Sequence, residues 1–134
     1  MTRLHSLTAV SGLAALLLSA CGSPDSLPPG SAGRAFSSSA WTAPRSTDGR
    51  DSGVSVREQM LEDLVLRVLP GKSRPEIEAL LGPSLDTPYF RSLDKDLIYY
   101  LGPERGHSIN IDSEWLLIWL GPGGRFHHCR IVND

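Results

Sequence analysis

The sequence lacks the common signatures of catalysis. It has no phosphate-binding loop, no Gly-x-Ser-x-Gly elbow, no His-Glu-x-x-His and no dinucleotide fingerprint. It also lacks an excess of positive charge: thirteen Lys and Arg stand against fifteen Asp and Glu, for a formal charge of -2. Nucleic acid calls for a clustered basic face, and none is present. The same acidic balance disfavours attraction of the folded part to anionic lipid. The longest apolar run, residues 7–18, falls well short of the roughly 20 residues that cross a bilayer. Cysteine is scarce, with only Cys21 and Cys129 in 134 residues, so no dense disulfide framework supports the fold.

What is there begins with an address. Residues 1–20 have a short head with Arg3 and His5, an apolar stretch and then small residues, the pattern of a secretory signal. Leu18-Ser19-Ala20-Cys21 looks like the lipobox of bacterial lipoproteins, in which the cysteine becomes the acylated N-terminus of the mature chain. More than one acyl chain gives stable anchoring, whereas a single chain binds only marginally. Gly22 rather than Asp follows the cysteine, which by resemblance to enterobacterial sorting implies the outer membrane. Cys21 and Cys129 form a conceivable disulfide pair in an oxidising compartment. With Cys21 lipidated, Cys129 is expected instead to be a free, buried thiol.

Residues 21–54 follow as a tether. More than half of 22–53 is Gly, Pro or Ser and no apolar period appears, so a disordered chain with an end-to-end distance of about 30 Å is expected. Phe36 and Trp41 are its only aromatics, read mainly as incidental and secondarily as a docking segment.

The remaining residues, 55–134, carry the fold. A first helix is expected over 56–69, capped by Ser55 with Glu58 three residues on, its apolar stripe made of Met60, Leu61, Leu64, Val65, Val68 and Leu69. Pro70-Gly71 ends it. A second, short helix runs to Leu81, with Ser73 and Glu76 as capping box, Pro75 in the first turn, and Gly82-Pro83 as the stop. Its stripe, Ile77, Leu80 and Leu81, faces a core. After a loop over 83–96, strands are expected over 96–101, 114–120 and 125–132, the last two joined by Gly121-Pro122-Gly123-Gly124. The fold class is therefore α+β: two N-terminal helices packed on a three-stranded antiparallel meander, in two layers.

The central strand, Glu114-Trp115-Leu116-Leu117-Ile118-Trp119-Leu120, is apolar on both faces. Alternation puts Leu116, Ile118 and Leu120 on one side, assigned to the helices, and Trp115, Leu117 and Trp119 on the other. Two helices cover only one side of such a sheet, which leaves Trp115, Leu117 and Trp119 as the candidate partner-binding row unless residues 83–96 or 102–113 fold over it. Tyr99 and Tyr100 read as one inward and one outward strand residue.

Chemistry finds little foothold. Adjacent strand residues point to opposite faces, so His127 and Cys129 are expected to share a side that His128 does not, and with His107 elsewhere no metal site and no cofactor is expected. Asp112-Ser113-Glu114 offers a hydroxyl and two carboxylates but no histidine placed to activate the serine. Glu76 and Glu78 are explained by the cap and the helix dipole. A non-enzymatic protein is the expectation.

The lipobox, the corner PGKSRPEIEALLGP, and the strand segments DLIYYLG and EWLLIWLGPGGRF together resemble the SmpA/OmlA or BamE-like small lipoproteins. The resemblance spans roughly 55–132 and departs in one respect: members of the assembly machine carry an ordered segment with an aromatic and a Gln-Gly pair soon after the cysteine. It implies an α-α-β-β-β domain held at the outer membrane, facing the periplasm, that acts as an accessory in outer-membrane assembly or maintenance. Its implied partners are the membrane, through the lipid on Cys21, and barrel-assembly proteins, with no nucleic acid and no small-molecule substrate. A rival reading is a periplasmic inhibitor or sensor module, because the same element order resembles a secreted β-lactamase inhibitor.

Overall fold

The computed structural model describes residues 27–49, 53–105 and 112–134. Three strands, β1 (Leu97–Pro103), β2 (Ser113–Leu120) and β3 (Phe126–Asn133), form an antiparallel sheet in the order β1-β2-β3. Helical segments cover one face, so the α+β class and the meander are as expected. Tyr99 pairs with Leu116, which pairs with Ile131, setting one continuous inner row, and Tyr100, Trp115 and Val132 set the outer row beside it.

The inner row builds the main core. Leu97, Tyr99, Leu101, Leu116 and Ile118 pack with Met60, Leu61, Leu64, Leu69, Ile77 and Leu81 from the helices. The second expected helix is α4 (Arg74–Leu81), with the Ser73–Glu76 capping box formed and Gly82 ending it at φ 82. Its N-terminal approach is sewn to the β2–β3 hairpin: the Phe126 N–H donates to the Lys72 carbonyl at 2.7 Å, and the Arg74 N–H to the Gly124 carbonyl at 3.2 Å.

The first helix departs from the expected unbroken 56–69. It is split into α2 (Val56–Gln59), α3 (Leu61–Asp63) and a widened π-helical stretch, Leu64–Val68, in which the Leu69 N–H reaches the Leu64 carbonyl at 2.9 Å. The cause lies upstream in the chain. The Gln59 carbonyl accepts from the Arg34 N–H at 3.0 Å and the Glu62 N–H donates to the Ser31 carbonyl at 2.9 Å, two groups that a continuous α-helix spends internally. Ser37 N–H adds a bond to the Met60 sulfur at 3.3 Å.

That pairing corrects the tether reading over residues 27–49. The segment is folded onto the domain and contributes its own helix, α1 (Ser38–Trp41), capped by Ser37. Trp41 is fully buried in the main core, against Phe36 at 6.2 Å and Tyr99 at 6.4 Å. A Ser- and Gly-rich composition set the expectation, but Trp41 together with Leu27, Phe36 and Ala40 joins the main core, and backbone bonds to Gln59 and Glu62 fix the segment further. The signal over 1–20, Cys21 and the first residues of the tether lie outside the described residues.

Candidate functional site

The outer face of the sheet was the candidate contact surface, and the structure closes it. Residues 84–94 cross over the face as a strap. Ser84 and Leu85 attach it to the edge of β1: the Ile98 N–H donates to the Ser84 hydroxyl at 2.8 Å and the Leu85 N–H to the Ile98 carbonyl at 3.1 Å. Phe90 then takes a left-handed backbone, φ 59, that is costly for an aromatic residue, and its ring meets Trp115 edge-on at 6.5 Å. Tyr89 at 5.6 Å and Tyr100 at 5.1 Å complete the ring of aromatics around that indole.

Trp115, Leu117 and Trp119 are therefore the floor of a second, smaller core with Ile98, Phe90, Leu93 and Val132. Trp115 is 8% exposed and Leu117 fully buried, while Trp119 is half-buried. Both indoles also have their N–H groups bonded, Trp115 to the Asp134 carboxylate at 3.1 Å and Trp119 to the Leu93 carbonyl at 3.0 Å. The expected docking row is corrected on this ground: an apolar face too wide for two helices is covered by the chain's own loop. Among the described residues, the large hydrophobics left exposed are Leu85 and Tyr89, on the strap itself.

A buried charged cluster lies beside Glu114 on the opposite, helix-covered face of the sheet, and sequence reasoning missed it. Arg105 is bonded through Nη2 to Glu114, and through Nε to Glu114 at 3.3 Å. The same Nε lies 3.6 Å from Glu58, and Nη1 donates to the Pro29 carbonyl at 2.7 Å and the Ser31 hydroxyl at 2.9 Å. The guanidinium thus pins the N-terminal segment to α2 and β2. The Glu58 carboxylate caps α2 as expected, accepting from the Ser55 N–H at 2.8 Å through Oε2, but its Oε1 is buried without a hydrogen-bond partner. Burial, reinforced by Glu114, pushes its pKa up to about 7. Protonated Glu58 leaves Arg105 and Glu114 as a neutral pair. Gly102 leaves room for this arrangement: a Cβ there would come 2.8 Å from the Glu58 Oε1. The sequence signal was the capping pattern at Glu58; Gly102 lay beyond the expected strand 96–101 and falls inside β1 only in the structure.

The Asp112-Ser113-Glu114 group does not converge. The Ser113 N–H donates to the Asp134 carboxylate at 2.7 Å, Glu114 belongs to Arg105, and Asp112 is exposed. Glu76 completes its cap, and Glu78 lies 3.4 Å from Arg74. Tyr99 is buried and Tyr100 half-buried on opposite faces, and burial raises the Tyr99 hydroxyl to about 12. Its hydroxyl donates to the Gly82 carbonyl at 3.0 Å, a structural contact.

The histidines are placed differently from the alternation rule. Trp119 pairs with His128 and Leu120 with Phe126, so His127 is the extra residue of a β-bulge. A bulge re-aims side chains, and the two imidazoles meet with Nδ1 atoms 2.7 Å apart. His128 stacks on Trp119, with centroids 4.6 Å apart and planes within 4°. Cys129 points inward opposite Ile118, in the main core. The expectation that His127 shares a side with Cys129 and not with His128 is corrected by that one inserted residue.

Cys129 is buried, as expected, but it is disulfide-bonded and not a free thiol. The sequence's other cysteine, Cys21, lies outside the described residues, as does His107. Two open clefts, of about 270 and about 210 Å³, flank the docked N-terminal segment; the larger is lined by Arg34, Arg67, Glu62 and Asp63 among others. Asp63 there is held below the usual carboxylate range, first by the Phe36 N–H at 2.7 Å and then by Arg67. No helix among the described residues is long and apolar enough to cross a membrane. No family model, no curated protein and no solved structure matches the chain.

Proposed function

We propose that the chain is a non-enzymatic module of the bacterial envelope, exported and anchored by lipid on Cys21, that binds protein as an accessory in outer-membrane assembly or maintenance. The observation that carries the export part of the reading is the disulfide at Cys129, because such bonds persist where the surroundings oxidise thiols; the lipid anchor rests on the Leu18-Ser19-Ala20-Cys21 lipobox alone. Kinship with the SmpA/OmlA or BamE-like lipoproteins is part of the proposal. Its support is the lipobox and a three-stranded antiparallel meander that follows helical segments, although α1 and the broken first helix depart from the α-α-β-β-β order of that family. The contact surface that suits this role is the strap, where Leu85 and Tyr89 are 47% and 51% exposed, because an exposed aromatic on a supported loop is a common anchor for a protein partner.

Placing a photo-crosslinking residue at position 89 in the native host tests this. Adducts to outer-membrane barrel-assembly proteins are the expected result. Crosslinks to no protein, with equal labelling from an exposed control position such as Ala79, overturn it.

The same disulfide favours a second reading. A sulfur in a disulfide cannot also carry a thioether-linked lipid, and Cys21 is the one other cysteine in the sequence. If Cys21 is that partner, the chain is an unanchored periplasmic module of the inhibitor or sensor kind, and position 89 crosslinks to a soluble periplasmic enzyme.

A further inference from the structure

The bonds that dock residues 27–36 are the same bonds that break the first helix. The Arg34 N–H occupies the Gln59 carbonyl and the Ser31 carbonyl occupies the Glu62 N–H. We propose that residues 27–36 form a releasable clasp, locked by Arg105, whose opening lets the broken first helix close into regular α-turns while Trp41 stays in the core.

Opening exchanges partners inside the helix instead of leaving them bare. In a continuous α-helix the Gln59 carbonyl accepts from the Asp63 N–H, and the Glu62 N–H donates to the Glu58 carbonyl. The widened turn over Leu64–Val68 is the rarer geometry for such a stretch, so it also gains from the change.

The clasp is lightly seated. Residues 32–35 are exposed, and the two open clefts lie between the segment and Glu62. Its hold is concentrated in a few polar contacts: Arg105 Nη1 with the Pro29 carbonyl and the Ser31 hydroxyl, and the Phe36 N–H with the Asp63 carboxylate. Trp41 is fixed separately, by full burial and by the bond from Arg57 to its carbonyl.

The lock contains its own release. Arg105 is shared between the clasp and two buried carboxylates, Glu58 of α2 and Glu114 of β2, the charged groups that face one another here. The Glu58 Oε1 is buried without a hydrogen-bond partner. An ionised Glu58 therefore needs water, and lifting the clasp admits it. With the clasp closed, burial raises the Glu58 pKa to about 7; with it open and hydrated, the pKa falls toward the ordinary 4.5. The closed state thus holds the proton more tightly, and opening grows as pH rises through about 7. On the lipid-anchor reading, release lengthens the chain between lipid and domain by up to about 30 Å; the device itself does not depend on that reading.

Amide hydrogen exchange on the full, oxidised chain from pH 5 to 8, corrected for intrinsic rates, tests this. The Arg34 and Phe36 N–H groups bond across the clasp and should exchange faster than those of Trp41 and Thr42, which bond within α1. Opening at Arg34 and Phe36 should rise by up to about seventyfold between pH 5 and 8. Glu58→Gln should leave it flat with pH. Ser31→Ala removes one acceptor from Arg105 and leaves the carboxylates in place, so it should raise exchange at Arg34 and Phe36 by about fivefold or more at both pH values, with Trp41 and Thr42 unchanged. The proposal is overturned if Arg34 and Phe36 exchange only together with Trp41 and Thr42. It is equally overturned if their opening does not change with pH, if the change persists in Glu58→Gln, or if Ser31→Ala behaves as the parent.

Discussion

The indole N–H of Trp119 donates to the backbone carbonyl of Leu93 at 3.0 Å. That bond joins the centre of the sheet's outer face to the strap that crosses it, and with the Trp115 and Phe90 rings it turns what reads as a vacant surface into a second core. The domain is thus three layers deep where the strap lies, helices, sheet and strap, and two elsewhere.

A consequence concerns Trp115. Were the outer row a docking surface, truncating this residue would leave folding untouched. Its burial predicts instead that Trp115→Ala lowers unfolding free energy by about 3–5 kcal/mol. Urea unfolding of the variant checks this, and a change within about 0.5 kcal/mol, as for an ordinary surface position, would contradict it.

Trp41 makes the corresponding prediction for the N-terminal segment. Its indole is enclosed in the main core, with the Arg57 guanidinium 4.8 Å above the ring and donating to the Trp41 carbonyl at 2.9 Å. Trp41→Ala should therefore destabilise the domain by about 3–5 kcal/mol, as a core truncation does. Hydrogen exchange should show slow amides at Trp41 and Thr42, which bond back to Ser37 and Ser38. Rapid exchange there would contradict the docking.

Glu58 makes stability depend on pH. Its folded pKa of about 7 lies above the ordinary 4.5, so the native state binds more protons than the unfolded chain between those values. Its contribution is fully present below about pH 4.5 and is lost as pH rises through about 7. Glu58→Gln, which keeps the shape without the charge, should gain on the parent by an amount that grows between pH 5 and 8, on the order of 2–3 kcal/mol. Parallel unfolding curves for both proteins across that range would contradict the assignment.

How much of this was legible depended on whether the cause was local. The Ser73–Glu76 cap, the Gly82 stop, the three strands and the two-sided apolar character of β2 are all set by neighbours within a few residues, and they read directly from the chain. The break in the first helix was not legible, because the groups that break it, Ser31 and Arg34, act from a distant segment whose composition suggested disorder. Arg105 was hidden for the same reason: its partners Glu58, Glu114, Pro29 and Ser31 come from three separate stretches. The histidine pair was lost to a single inserted residue, since a bulge reverses side-chain alternation without changing hydrophobic pattern. The strap over Trp115 was foreseen only as an alternative, because a loop with two prolines and mixed charge carries no periodic signal of where it packs.

The intact mass of the protein isolated from its native host, recorded before and after reduction, decides between the two chemistries available to Cys21. The account predicts a chain starting at Cys21 with an added acyl mass that survives reductant. An unacylated chain that gains only two hydrogens on reduction would contradict the lipid anchor and establish the free periplasmic module in its place.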